Sequence, residues 1–238
     1  MSNKHNISNL PDWEKVLHAA AHLQEIVPGA ALVGGTASSL HTAHRRSMDA
    51  DHVVVDLRHR FDAVLKDLEA ISGWRTARVN RPVQILGSLD GIETGIRQLI
   101  REQPLDVETI DISGEPIIIP TKAEILRIKG ILIVKRNATR DYLDFAALAH
   151  SMTKTELIDA LLHFDSLYAK NSTNPPLQQL VSQISNPTPF DLSNVDLALY
   201  KGLKEEWQDW NVIKNICIEV SNEIILSGLT KADLDMLP

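Results

Sequence analysis

The chain has a single cysteine, Cys217, among 238 residues. A lone thiol closes no internal disulfide and builds no thiolate metal cluster, so a reducing, cytoplasmic setting is expected, with Cys217 packed as a small hydrophobe. Long apolar runs are also missing. The most apolar stretch, Ile125 to Val134, is interrupted by Arg127 and Lys129 and falls short of the ~20 residues that a bilayer requires. No membrane association is expected. Met1 to Leu10 is polar, with neither a basic start nor an apolar segment, and no signal peptide is expected there. Internal repeats and low-complexity tracts are absent. What is present, 44% hydrophobic and 23% charged residues, is the balance of a folded protein with a sizeable core.

Arginine is missing from one part of the chain. All twelve arginines lie between Arg45 and Arg140, and residues 151 to 238 use lysine alone. Guanidinium is the side chain best shaped for bidentate contact with phosphate or carboxylate, so an anionic ligand is expected in the first 150 residues. The net charge of −7 comes mostly from the tail, where 12 acidic residues face 6 lysines. A net-negative chain is a poor general nucleic-acid binder, and any RNA contact must be local.

Hydrophobic periodicity orders the elements. Trp13, Val16, Leu17, Ala20 and Leu23 recur at helical spacing after Pro11, and Pro28-Gly29 ends that helix. Ala30 to Val33 reads as a short buried strand, and Gly34-Gly35-Thr36 as a turn into a small-residue helix from Ala37 to about His44. Val53-Val54-Val55 marks a strand over 51–57, and Phe61, Val64, Leu65, Leu68 and Ile71 mark an amphipathic helix. Strands are predicted near 75–79, 83–88, 92–100, 106–111 and 116–119, with Asp90-Gly91 as a hairpin turn. Capping boxes at Thr121-Lys122-Ala123-Glu124 and Thr153-Lys154-Thr155-Glu156 open further helices, the first running to about Arg136. Beyond a polar linker at 171–176, helices are predicted over 177–184, 192–210 and 212–225. The reading is an α+β protein: a mixed β-sheet flanked by helices over residues 1–150, then a mostly helical domain over 151–238.

The stretch that carries chemistry is Leu32-Val33-Gly34-Gly35-Thr36 with Asp49-Ala50-Asp51, thirteen residues lying between Gly35 and Asp49. Two carboxylates two apart at a strand start project to one side and can grip one divalent cation. Hard oxygen donors suit magnesium, which completes its octahedron with water and substrate phosphates. Paired glycines let a phosphate approach the backbone, and the following helix offers its N-terminus to the same anion. Either half alone is common; a Gly-Gly turn precedes many helices, and Asp-x-Asp is often a solvated strand start.

Together the two halves resemble the nucleotidyltransferase signature. The extended run, with Leu40-His41 and His44-Arg45-Arg46-Ser47-x-Asp49-x-Asp51, resembles in particular the AbiEii/AbiGii toxin-type nucleotidyltransferases. Lys129 and Arg140-Asp141-Tyr142-Leu143-Asp144 match that group's helix lysine and its Arg-Asp-x-x-Asp element. The resemblance covers about residues 15 to 150. It implies a nucleotidyltransferase-like domain that binds magnesium (or manganese) through Asp49 and Asp51. It also implies nucleotide contacts from Gly34, Gly35, Thr36, Arg45, Arg46 and Ser47, and catalytic roles for Asp49, Asp51, Lys129 and Asp141. The expected substrate is a nucleoside triphosphate. The expected partners are an RNA or tRNA acceptor and a protein antitoxin.

Individual residues carry alternatives. Lys129 lies in the middle of its helix's apolar arc, among Ile125, Leu126, Leu132 and Ile133, so it either snorkels outward or meets an anion, carboxylate or phosphate. Asp141 and Asp144 could each stabilise an early helical turn. Arg45 and Arg46 cannot both face the same way; one is expected to reach a triphosphate. His41 and His44 share a helix face without a third ligand, which makes them a poor metal pair. Asp106 and Glu108 are expected to face solvent, and Trp207 and Trp210 to serve packing. A departure from the family concerns the third carboxylate. The strand expected to supply it, Gly95-Ile96-Arg97-Gln98-Leu99, presents arginine and glutamine, and Glu93 is the nearest acid. Three readings follow: Glu93 substitutes, two carboxylates suffice, or the fold is a catalytically degenerate module for nucleotide binding or protein interaction.

Overall fold

A computed structural model describes residues 12–169 and 174–229. The chain divides into two compact units, one of residues 1–37 and 47–120, the other of 38–46 and 121–238. The boundary expected at 150 falls inside the second unit, at the end of a helix buried along most of its length.

The first unit begins with α1 (Asp12–Ile26), β1 (Ala31–Leu32), the start of α2 (Gly34–Thr42), β2 (Ala50–Val54) and α3 (Leu57–Glu69). The order helix, strand, helix, strand, helix is the one predicted. β3 (Trp74–Asn80), β4 (Gln84–Leu89) and β5 (Ile92–Gln98) complete a five-stranded sheet of order β1-β2-β5-β4-β3, and β6 (Val107–Ile112) and β7 (Glu115–Pro120) form a separate hairpin. β2 and β5 run parallel and the other neighbours antiparallel, which makes the sheet mixed. Asp90 and Gly91, at φ 52° and 83°, close the β4–β5 turn; two successive positive φ values are what a two-residue hairpin of matching twist demands.

One face of this sheet is buried. Ala50, His52 and Val54 on β2, Ile96 on β5, Ile85 and Leu89 on β4 and Trp74 on β3 all lie beneath it. Leu23 of α1 and Phe61, Val64 and Leu68 of α3 pack into the same core. The alternation of β2 (buried at 50, 52 and 54, half-buried at 51 and 53) therefore turns Asp51 to the opposite face.

In the second unit, α4 (Lys122–Arg136) and α5 (Thr139–His150) are followed by α6 (Lys154–Leu161), α7 (Phe164–Tyr168), α8 (Pro176–Ser185) and α9 (Trp210–Ser227). α4 packs on α5 and α8, and α9 on α5 and α8. The second box forms in full, with Thr153 and Glu156 reciprocal; at the first, Thr121 caps by accepting from the Glu124 amide, while the Glu124 carboxylate accepts from Arg127. Part of the 171–176 linker lies outside the described residues.

The helix predicted over 192–210 is instead three short 3-10 turns, 192–194, 197–199 and 205–207. Aspartates break it. Asp196 accepts from the Ala198 amide, Asp209 caps α9, Asp191 accepts from the Thr139 amide and hydroxyl, and Gly202 takes φ 61°. Trp207 is buried against His44 and His150, Trp210 meets Tyr142 edge-on, and both serve packing. Cys217 is buried, and that burial pushes its thiol pKa up. Among the described residues no helix is long and apolar enough to cross a membrane.

His52 is fully buried, and neither ring nitrogen has a hydrogen-bond partner of good geometry. Desolvation lowers its pKa to about 4, with the nearby backbone of Ala50 and Ala20 opposing the shift. The folded state thus binds fewer protons than the unfolded one between about pH 4 and the ordinary histidine value of 6.5. Stability is full above that window and falls by about 3 kcal/mol as pH drops through it. Urea titrations across this range should show the loss, and His52→Leu should flatten it; an unchanged slope in His52→Leu would assign the acid sensitivity elsewhere.

Candidate functional site

Gly34 opens α2 at φ 76°, a conformation that favours glycine. A Cβ placed on it would stand 3.9 Å from the Asp51 Cβ, so the helix begins directly beside that aspartate. The backbone of Asp49-Ala50-Asp51 is then held at three successive carbonyl oxygens. The Thr36 hydroxyl donates to Asp49 O at 2.5 Å, the Thr94 hydroxyl to Ala50 O, and the Val33 amide to Asp51 O at 2.8 Å. Thr36 is fully buried, and its hydroxyl positions the aspartates from within. Ser47 is buried in the same unit.

Asp49 is exposed and Asp51 is 37% exposed. Asp49 stands just before β2 and Asp51 within it; two solvent-reachable carboxylates two residues apart, beside a helix N-terminus, are hard oxygen donors of the kind a divalent cation such as magnesium takes. Asp51 stands in register with Gly95 of β5, and Arg97, one repeat farther along that face, brings Nη2 to 3.8 Å from Asp51 Oδ1. This pair is half-exposed and contributes little to stability. Its importance is positional: a guanidinium stands close to the Asp51 carboxylate. Glu93 lies on the same face, two positions before Gly95, and is exposed. Among the described residues, no group of three or more His, Cys, Asp or Glu is arranged to hold a metal ion.

The second unit holds a different cluster. Lys129 is 2% exposed; its Nζ lies 2.7 Å from Asp144 Oδ2 and 3.7 Å from Asp141 Oδ1. Of the alternatives open from its helical position, the structure shows the carboxylate partner. Arg45 binds Asp144 with both prongs, Nε to Oδ1 at 2.7 Å and Nη2 to Oδ2 at 3.0 Å, and its guanidinium sits over the Tyr200 ring. His44 Nε2 meets Asp144 Oδ1 at 2.8 Å, and Nδ1 meets the Thr42 hydroxyl. Arg136 grips Asp141 in the same forked manner, at 2.6 and 2.9 Å. Arg46 is exposed; its amide donates to Lys201 O and its stem packs on Gly202.

Burial works against the charge on Asp144, but Arg45 and Lys129 outweigh it. With the hydrogen bonds from His44 and Arg45, they hold the carboxyl well below the ordinary range. Two buried cations, Arg45 and Lys129, and the exposed Arg136 at the rim thus surround two buried carboxylates. The sequence singles out Lys129, Arg45 and Asp141 but leaves Asp144 and His44 as minor. The signal for Asp144 is its place three residues after Asp141, on the same helix face.

No family model matches the chain. Its fold is shared with two solved structures. JHP933 from Helicobacter pylori is 15% identical with a TM-score of 0.53, covering 98% of this chain and all of that one. The nucleotidyltransferase toxin MenT4 of Mycobacterium tuberculosis is 16% identical with a TM-score of 0.55, covering 94% and 86% of the two chains. The fold is thus nucleotidyltransferase-like. Curated proteins similar in sequence are of another kind. MmpL11 of Mycobacterium tuberculosis, a heme uptake protein, is 30% identical over 124 residues, 51% of this chain and 12% of that protein. MmpL11 of Mycolicibacterium smegmatis, an exporter of mycolic acid-containing lipids, is 30% identical over 159 residues, 65% of this chain and 16% of that protein. The chain therefore spans less than a fifth of the length of these relatives.

The charge cluster makes a definite expectation. Asp144→Asn leaves Lys129 and Arg45 buried against a neutral group and should cost about 3–5 kcal/mol. Lys129→Met leaves Asp144 paired to Arg45 and His44, so its loss should be clearly smaller. Urea midpoints of the two variants compare them; equal losses would show that Lys129 alone neutralises Asp144.

Proposed function

We propose that this chain is a metal-dependent nucleotidyltransferase of the AbiEii toxin-like kind, moving a nucleoside monophosphate from a nucleoside triphosphate to a hydroxyl acceptor. The acceptor oxygen attacks the α-phosphorus, the bond to the β-phosphate bridging oxygen breaks, and pyrophosphate leaves as the hydroxyl proton is lost. The observation that carries this reading is the triply held Asp49-Ala50-Asp51 backbone, with both carboxylates solvent-reachable beside the Gly34 helix start. Asp49 and Asp51 would hold a magnesium or manganese ion, which supplies charge neutralisation at the phosphates. Gly34, Gly35 and Thr36 place the helix start and its positive dipole end at the triphosphate. Ser47 is assigned to nucleotide contact beside them. In the second unit Arg45 and Arg46 are assigned to nucleotide contact and Lys129 and Asp141 to catalysis, with Asp144 as the group that orients Lys129 and Arg45. Positioning and electrostatics carry the reaction. An RNA, such as a tRNA end, is the acceptor, the setting is the cytoplasm, and a protein antitoxin is the partner that the toxin-like reading brings.

A second reading, a catalytically degenerate module for nucleotide binding or protein interaction, is favoured by two observations. Arg97 is found where a third acid is expected, and the chain's curated relatives are transport proteins matched over a small share of their length.

Incubation with magnesium or manganese, each labelled triphosphate in turn and total RNA separates the two. Transfer of label to RNA is expected. It should be abolished on chelation, and in Asp51→Asn it should fall by at least about a hundredfold, the effect of removing several kcal/mol of charge stabilisation. Triphosphate bound by the parent and by Asp49→Asn, with no label transferred by either, would establish the module instead.

A further inference from the structure

β3 is an edge strand, and every residue from Arg75 to Asn80 is exposed. Regular alternation would place Arg75 and Arg78, three apart, on opposite faces. The pairing prevents this. Thr76 stands opposite Gly87 and Arg78 opposite Leu86, so Ala77 is an extra residue, a β-bulge. One inserted residue reverses the facing of everything beyond it.

The paired rows can be followed across the sheet. Arg75 pairs with Ser88 and Ser88 with Glu93; Arg78 pairs with Leu86, Leu86 with Gly95 and Gly95 with Asp51. The row beyond runs Asn80, Gln84, Arg97, Val53. Arg75 and Arg78 therefore share the face that carries Asp51 and Arg97, opposite the buried face of Trp74, Ile85, Ile96 and His52. Charge is divided along it. The β2–β5 half holds Asp51, Glu93 and Arg97, while the β3–β4 half holds the two β3 guanidiniums and no acid. Arg81, just past β3, is engaged by Asp62 and the Phe61 ring and takes no part.

Protection of a sheet edge needs charge, but on either face. A bulge that brings both arginines to the face of Asp51 does more than protect. Neighbouring rows lie about 7 Å apart along the strands, so each guanidinium can take its own phosphate. Three strand steps of about 4.8 Å separate the β3 row from Asp51, a distance that the last few nucleotides of a strand would span.

We infer that the β3–β4 half of this open face docks the phosphodiester backbone of a single-stranded RNA acceptor, with Arg75 and Arg78 as the side chains that hold its phosphates. The inference rests on the nucleotidyl-transfer reading for the direction of the strand toward Asp49 and Asp51. In a chain of net charge −7, such a strip is the local contact that RNA binding requires.

Fluorescence anisotropy of a short labelled single-stranded RNA over a salt series tests it. Arg75→Gln with Arg78→Gln should weaken binding about tenfold and reduce the salt slope by about 1.4, near 0.7 for each phosphate no longer neutralised. Arg75→Lys with Arg78→Lys should keep the slope. Arg78→Gln with Val79→Arg restores the charge on the other face of β3 and should not restore binding; full restoration would make edge charge the whole effect and overturn the inference. So would absence of RNA binding by the parent, unchanged affinity in the double glutamine variant with its melting transition intact, or competition by poly-glutamate equal to that by RNA. Triphosphate binding and label transfer are scored separately. Arginine-dependent RNA binding without transfer leaves this surface standing and removes the enzyme reading, whereas transfer that ignores both arginines removes the surface alone.

Discussion

The candidate metal grip depends on control of its backbone. Asp49, Ala50 and Asp51 each have the carbonyl oxygen held by a different donor: Thr36 in α2, Thr94 in β5 and Val33 just before α2. Carboxylates that must bind an ion have to remain wet, so their side chains cannot be locked by packing. Fixing the three peptides beneath them is the remaining way to aim them. It also explains two otherwise awkward residues, the buried hydroxyls of Thr36 and Thr94. A buried hydroxyl without a partner is costly, and here each meets a carbonyl.

The second unit solves the opposite problem. Lys129, Arg45, Asp141 and Asp144 are buried, and their order comes from mutual charge. Taking so many ions out of water is unfavourable unless each finds a close, well-oriented partner. Asp144 meets that condition with Arg45, Lys129 and His44, and Asp141 with the fork of Arg136. Such a cluster is a poor source of net stability but a strong source of uniqueness, since any other packing of α4 against α5 strands a charge.

Much of this was legible in the sequence, and the failures have physical causes. Helical periodicity places Lys129 on the apolar arc of α4 and hence demands an anion, but its main partner lies fifteen residues on in another helix. Asp141 and Asp144 share a face, so no local rule ranks them. Leu192, Val195, Leu197 and Leu199 suggest helix over 192–210, yet Asp191, Asp196 and Asp209 each bind a backbone amide and divert the chain into short turns. The bulge at Ala77 leaves no trace at all. Arg-Thr-Ala-Arg carries neither glycine nor proline, and only the register against β4 reveals the extra residue.

Strict two-residue alternation links the site to the core more tightly than either suggests alone. Because Asp51 faces outward, residues 50 and 52 face the packed side, whatever they are. Alanine at 50 suits that side, but histidine at 52 enters the core with both nitrogens unbonded and is held neutral there. It cannot turn out without carrying Asp51 inward. β3 escapes the same rule by inserting Ala77. Thus β2 obeys the alternation at the expense of a buried histidine, while the edge strand three places along the sheet breaks it and gains a second outward arginine.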